Sequence, residues 1–248
     1  MKIQYSLLLF LLLLGFTQCK SPAAKEDRLS DDALMDTVQR RTFNYFWEGA
    51  EPNSGLARER IHMDGVYPEN DQNVITSGGS GFGIMAILAG IDRGYVTRQE
   101  GLERMEKIVS FLETADRFHG AYPHWWYGDT GKVKPFGQKD NGGDLVETAF
   151  IMQALLSVHQ YYIDGSPAEQ ALAARIDKLW REVDWNFYRQ NGQNVLYWHW
   201  SSEYGWEMNF PYTVTTNASS CISLPPPRLP TACLQQSITR AGRRTGPL

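Results

Sequence analysis

Three acids stand close together in the stretch KDNGGDLVETAF, Lys139 to Phe150: Asp140, Asp144 and Glu147. Carboxyl groups gathered in this way do acid/base chemistry when one is held protonated and another ionised. Behind them runs an apolar sequence with helical spacing, Leu145, Ala149, Met152, Leu155/Leu156 and His159. The spacing predicts a helix that starts near Asp144. Asp144 and Glu147, three residues apart, then share a helix face at an N-terminus whose dipole favours negative charge. The same spacing is that of a capping box with Asp in place of Ser or Thr, in which Asp144 accepts from backbone N–H groups and Glu147 reaches back. The loop before it, GAYPHWWYGDTGKVKPFGQKDNGG, is too long for a plain connector and carries Tyr122, His124, Trp125, Trp126 and Tyr127. Long loops in compact domains are usually functional. Aromatics beside carboxylates suit a sugar ring, with its apolar face on the aromatic and its hydroxyls on the acids.

A fourth acid, Glu207, lies between Trp206 and Met208 in YGWEMNFP. An acid in an apolar, aromatic setting has a raised pKa, as a general acid needs; the other reading is a rim glutamate bonded to backbone. The loop Glu51 to Thr76 adds Arg58, Arg60, His62, Glu69 and Asp71 as candidate site groups or solvated surface. Trp125, Trp126, Trp198, Trp200 and Trp206 are candidate sugar platforms, or core.

These groups sit on helices. Ser30 caps DDALMDTVQRRTFNYFWEGA, with apolar Met35, Val38, Thr42 and Phe46. TSGGSGFG leads into the apolar helix GIMAILAGIDRG. No βαβ unit follows it, which excludes a dinucleotide fingerprint, and the glycines are expected to allow close helix packing or leave room for a ligand. Thr97 and Glu100 form a capping box for the next helix, and Ser166, Pro167 and Glu169 open another. NVLYWHWS alternates and predicts a short hairpin. Five helices without strand–helix alternation imply an all-α architecture of paired helices.

A net charge of −4 and no long basic stretch argue against nucleic acid as a partner. No cluster has metal-ligand spacing, no cofactor motif survives, and no Ser–His–Asp or Cys–His motif is present. A non-catalytic glycan-binding surface lipoprotein, or a different paired-helix carbohydrate enzyme such as an epimerase or lyase, uses similar residues; a lyase for acidic glycans wants a more basic cleft than DNGGDLVE offers.

TFNYFWEGAEPNSGLARER, GGSGFGIMAILAGIDRGY, FHGAYPHW, DNGGDLVETAF, LWREVDW and YGWEMNFP together resemble the glucoamylase-like domain of bacterial glycoside hydrolases, specifically glycoside hydrolase family 144. The resemblance covers Asp31 to Pro211. It implies an (α/α)6 toroid, hydrolysis of β-1,2-glucan, and an acidic site to which Asp140, Asp144, Glu147 and Glu207 correspond. One acid then protonates the glycosidic oxygen and another activates water, giving inversion; Glu207 and Glu147 both remain open as the proton donor. The implied partner is an oligo- or polysaccharide, bound by a monomer, with Arg58 and His124 beside the tryptophans as substrate-binding groups. A toroid of paired helices needs about twice the helices visible, so the chain holds the N-terminal half of the fold.

The ends read differently. Residues 1–19 resemble a bacterial lipoprotein signal: Lys2, the apolar SLLLFLLLLGF, then Cys19 as the lipidated residue. Residues 20–29 are a polar tether. The protein is therefore expected to be exported, as a periplasmic or outer-membrane lipoprotein touching membrane only through Cys19. All 28 acidic residues lie at or before Glu207, and residues 212–248 show no helical or strand period. Their codons, shifted by one base, are compatible with an acid-bearing apolar continuation, so this tail is expected to arise from a frameshift near codon 211 and to be disordered.

Overall fold

The computed structural model describes residues 28–212; the expectations for Cys19 and for the tail beyond 212 lie outside them. The chain divides into two units, residues 1–38 and 39–248. The first helix, α1 (Asp31–Trp47), begins in one and ends in the other. In the first unit Ser30 caps it, its Oγ accepting the Ala33 N–H at 3.3 Å. Met35 and Val38 are 58% and 50% exposed, where the spacing placed them on a buried face. The side chain that α1 does bury is Phe43, because Phe43 enters the space left by Gly90, which has no Cβ, and stacks on Trp47 at 5.7 Å.

The second unit is built on α2 (Ser77–Asp92), α3 (Arg98–Thr114), α4 (Leu145–Tyr162) and α5 (Pro167–Arg181). Alternate helices are neighbours: α2 packs on α4 and α3 on α5, while α4 also meets α5 and α2 meets α3. This is the inner-and-outer pairing of an α/α toroid, and the described residues form part of one. Ile84 and Ile87 of α2, Met105, Ile108 and Leu112 of α3, Ile151, Leu155 and Val158 of α4, and Ile176 and Leu179 of α5 make one core. Each such side chain contributes about 1.5–3 kcal/mol by leaving water.

The glycine run lies inside α2, not ahead of it. An interior glycine costs a helix about 1 kcal/mol against alanine, and here backbone contact with α4 offsets that cost. A Cβ on Gly81 would stand 2.6 Å from the Phe150 carbonyl oxygen, so only glycine lets the two helices come this close. Both capping boxes are present: Thr97 with Glu100, and Ser166 with Glu169 behind Pro167.

Short ladders tie the loops to one end of α2 and α4. β1 (Val74–Thr76), β2 (Trp125–Tyr127) and β3 (Val133–Lys134) form an antiparallel sheet in that order. β4 (Gly143–Asp144) pairs with β6 (His199–Trp200), and β5 (Leu196–Tyr197) pairs with β7 (Pro211–Tyr212). The expected hairpin within NVLYWHWS is thus two strands in two sheets. At the crossover Trp198 N–H donates to Phe210 O, while its carbonyl accepts from Leu145 N–H, so the segment runs between two partners and has none in itself. Among the described residues no helix is long and apolar enough to cross a membrane.

Candidate active site

Two helix N-termini meet here, because β1 feeds α2 and β4 feeds α4. Asp144 is the N-cap of α4, its Oδ1 accepting from the N–H groups of Val146 and Glu147, both at 2.9 Å. The second half of the expected capping box is absent. Glu147 turns instead to α2, and its Oε2 accepts the Gly78 N–H at 2.6 Å. Thr76, the N-cap of α2, makes no side-chain capping bond; the Ser77 N–H donates to the His124 carbonyl and Glu147 takes the next one, that of Gly78. Gly78 is what admits it: a Cβ there would lie 2.6 Å from Oε2.

Asp140 joins them from the DNGG turn. Gly142 and Gly143 in that turn have no room for side chains, Gly142 lying on the Trp200 carbonyl and Gly143 on the Tyr188 hydroxyl. This close pairing buries Asp140 to 6% exposure and Asp144 to 1%. His124 Nδ1 is 3.2 Å from Asp140 Oδ2 and 3.5 Å from Asp144 Oδ2. On the other side His199 Nε2 is 3.4 Å from Asp140 Oδ1 and accepts the Gly142 N–H at 3.1 Å. The His124 ring lies flat on Phe136, with centroids 4.2 Å apart, and Trp125 stands edge-on to Phe136 at 4.7 Å.

The charges follow from burial. Asp144 is pushed up to about 7, first by its own enclosure and then by the nearby Glu147 charge, against the Glu147 N–H, Trp198 and His124. Burial alone would lower His124. It is outweighed by the hydrogen bond to Asp140 and the charges of Glu147, Asp144 and Asp140, so His124 is raised. His199 is lowered by burial, with the His124 charge adding to it. The site therefore holds two imidazoles shifted in opposite directions, His124 up and His199 down, on opposite sides of Asp140, beside a carboxyl raised to about 7. His124, Asp140 and Asp144 each place a donor atom within 4.8 Å of the others. Within that group His124 and Asp140 are hydrogen-bonded, and Asp144 caps α4 through its other oxygen.

Asp140, Asp144 and Glu147 converge with His124, as their spacing suggested. Glu207 does not join their hydrogen bonds. Its side chain is 54% exposed and pairs with Lys139 Nζ at 2.8 Å, so the apolar enclosure expected of it is replaced by a rim ion pair one residue from Asp140. Trp126 is fully buried, its Nε1 donating to Asp116 O, and belongs to the core because it packs beneath Tyr122 and Phe111. Trp200 and Trp206 pack on Phe187 in a separate aromatic cluster. Trp198 stands against Phe210. Trp125 and Phe136 stand beside His124, and Trp198 is a tryptophan that reaches an acid, its side chain hydrogen-bonded to Asp144. Arg58 bridges to Ile75 on the edge of β1 away from β2, and its Nε is buried without a hydrogen bond. Arg60, His62 and Asp71 gather in their own loop, at 3.7 and 3.9 Å. An open cleft of about 370 Å³ adjoins Asn141, lined by Asp116, Arg117, Pro135 and Glu203 among others, and none of the four acids lines it. The residue that the sequence did not reveal is His199, whose approach to Asp140 comes from a long-range strand pairing, Asp144 opposite His199.

No family model matches the chain. It is 51% identical over 183 residues to the exo β-1,2-glucooligosaccharide sophorohydrolase (non-reducing end) of Parabacteroides distasonis, a match covering 73% of this chain and 24% of that protein. A putative glucoamylase crystal structure from Bacteroides caccae is 84% identical, with a TM-score of 0.72, over 73% of this chain and 44% of that one. The endo-β-1,2-glucanase of Chitinophaga pinensis, solved with sophorotriose and glucose, is 66% identical, with a TM-score of 0.74, over 77% and 46%. The chain thus spans about a quarter of its curated relative and under half of these solved ones. The fold is that of part of a glucoamylase-like α/α toroid. Over that part the chain is homologous to segments of proteins named as β-1,2-glucan hydrolases.

Proposed function

We propose that residues 31–211 are the N-terminal part of a catalytic domain that hydrolyses β-1,2-glucan, with Asp140, Asp144, Glu147 and Glu207 as its acids. The observation that carries this reading is the meeting of Asp140, Asp144 and Glu147 around His124 at two helix N-termini, beside the Trp125–Phe136 aromatic pair. Hydrolysis by two carboxylates needs one group that gives a proton to the glycosidic oxygen and one that draws a proton from water. Asp144, enclosed and raised to about 7, exchanges its proton around neutral pH but is shut away from solvent. Glu147, half-buried, and Glu207, at the rim, are the acids with access to a bound sugar. Trp125 and Phe136 offer the ring face, and Asp140 with His124 faces the hydroxyls. Export through a lipid on Cys19, and action as a monomer, complete the proposal.

The test is substrate choice in a full-length context. Residues 31–211 replace the matching segment of the Chitinophaga pinensis enzyme, and release of reducing ends is followed on β-1,2-, β-1,3- and β-1,4-glucans. The reading predicts release from the β-1,2-linked polymer above the other two. A folded chimaera that binds β-1,2-glucan without cleaving it would favour the glycan-binding alternative.

A further inference from the structure

The catalytic reading leaves one buried group unused. His199 is 1% exposed, and its ring stands directly behind the Asp140 carboxylate. The Gly142 N–H points at Nε2, so that nitrogen accepts and the ring proton is on Nδ1, which is buried without a hydrogen-bond partner. Asp140 Oδ1, facing the same Nε2, also lacks a hydrogen bond. The ring therefore neither donates to Asp140 nor neutralises it. What it does is hold the Gly142 N–H, and with it the backbone of the DNGG turn, so that Asp140 can turn its other oxygen, Oδ2, to His124.

We propose that His199 is a positioning residue of the acid site: by accepting the Gly142 N–H and closing the space behind Asp140, it aims the Asp140 carboxylate at His124. The β4–β6 pairing supports this, since Asp144 opposite His199 and Gly143 opposite Trp200 bring the ring to the turn by backbone register, independently of the hydrogen bonds. The groups facing His124 are Asp140 from the turn, Asp144 and Glu147 from the start of α4, and the aromatic Phe136 and Trp125. The Asp140 hydrogen bond is the largest of the influences that raise His124, ahead of the charges of Glu147, Asp144 and Asp140. Without that bond, burial, the largest influence on the ring, pulls it back down. The role in catalysis rests on the proposed hydrolase function, but the alignment itself does not.

The experiment follows the His124 ring by NMR in the 248-residue chain labelled at its histidines, which reports the alignment whether or not the chain cleaves glucan. Three variants are titrated. His199→Gln keeps an acceptor where Nε2 was; His199→Asn, being shorter, withdraws it; Asp140→Asn removes the charge that His124 pairs with. The proposal expects the His124 midpoint to stay in place in His199→Gln and to fall by about one pH unit or more in His199→Asn and in Asp140→Asn, the usual size of the loss of a close charged partner. A midpoint unmoved in a folded His199→Asn chain, or lowered in His199→Gln as far as in Asp140→Asn, overturns it. An unfolded His199→Gln chain also overturns it, because the acceptor is still there and ring packing alone would be what counts. If His199→Asn does not fold, the Asp140→Asn chain sets the lowered reference: His199→Gln matching the wild type supports the proposal, and matching that reference refutes it.

Discussion

Replacing Asp144 by Asn separates the cap from the charge. Asn caps a helix about as well as Asp, so the bonds to Val146 and Glu147 N–H persist in kind, and the change removes an acid that titrates near 7 when folded and near 3.8 when unfolded. The folded pKa of this acid is raised, so the folded state holds more protons than the unfolded state between those values, and stability falls as pH rises through that window. At 1.36 kcal/mol per unit, the wild type loses on the order of 4 kcal/mol between pH 3.8 and 7, of which more than half is lost above pH 5. Asp144→Asn has no such loss. Thermal unfolding of both chains, followed by circular dichroism at pH 5 and pH 8, should show the variant ahead by several degrees at pH 8, at about 2–4 °C per kcal/mol for a domain of this size. The gap should narrow toward pH 5. A variant less stable than the wild type at pH 8, or a gap that does not change with pH, would refute the argument that burial sets this carboxyl.

Gly81→Ala should lower the melting temperature despite the better helix propensity of alanine, because its Cβ meets the Phe150 carbonyl backbone, while Gly79→Ala, which meets only the Thr76 side chain, should leave it unchanged or raised; equal melting temperatures would contradict the tight α2–α4 approach. Labelled palmitate should enter the protein in cells and be lost in Cys19→Ser, and protein that takes up no label and stays soluble would leave plain secretion. Sequencing the source gene should find one base missing near codon 211, and an intact frame there would make residues 212–248 a native tail.

Much of this site was legible because it is local. Asp144 at the N-cap and Glu147 one turn on follow from helical spacing alone, and so do both Ser/Thr–Glu capping boxes. What Glu147 does with its carboxylate was not legible, since Gly78 N–H reaches it from 69 residues away. Nor was the fate of the tryptophans: Trp125 and Trp126 are adjacent, yet strand alternation sends one beside His124 and the other into the core. Glu207 sits between Trp206 and Met208 in sequence, but the turn carries its side chain outward to Lys139. The YWHW run alternates as a hairpin would, and only the long-range partners β4 and β7 divide it and deliver His199 to Asp140.

The central claim is that these acids cleave β-1,2-glucan, and the rate of reducing-end release by the full-length chimaera tests it most directly. Glu147→Gln and Glu207→Gln should each lower that rate by about a hundredfold or more, the usual cost of losing a positioned acid or base, with the circular dichroism spectrum unchanged. Turnover near that of the unmutated chimaera in either variant would contradict the claim for that residue, and in both would remove the acid site from the mechanism.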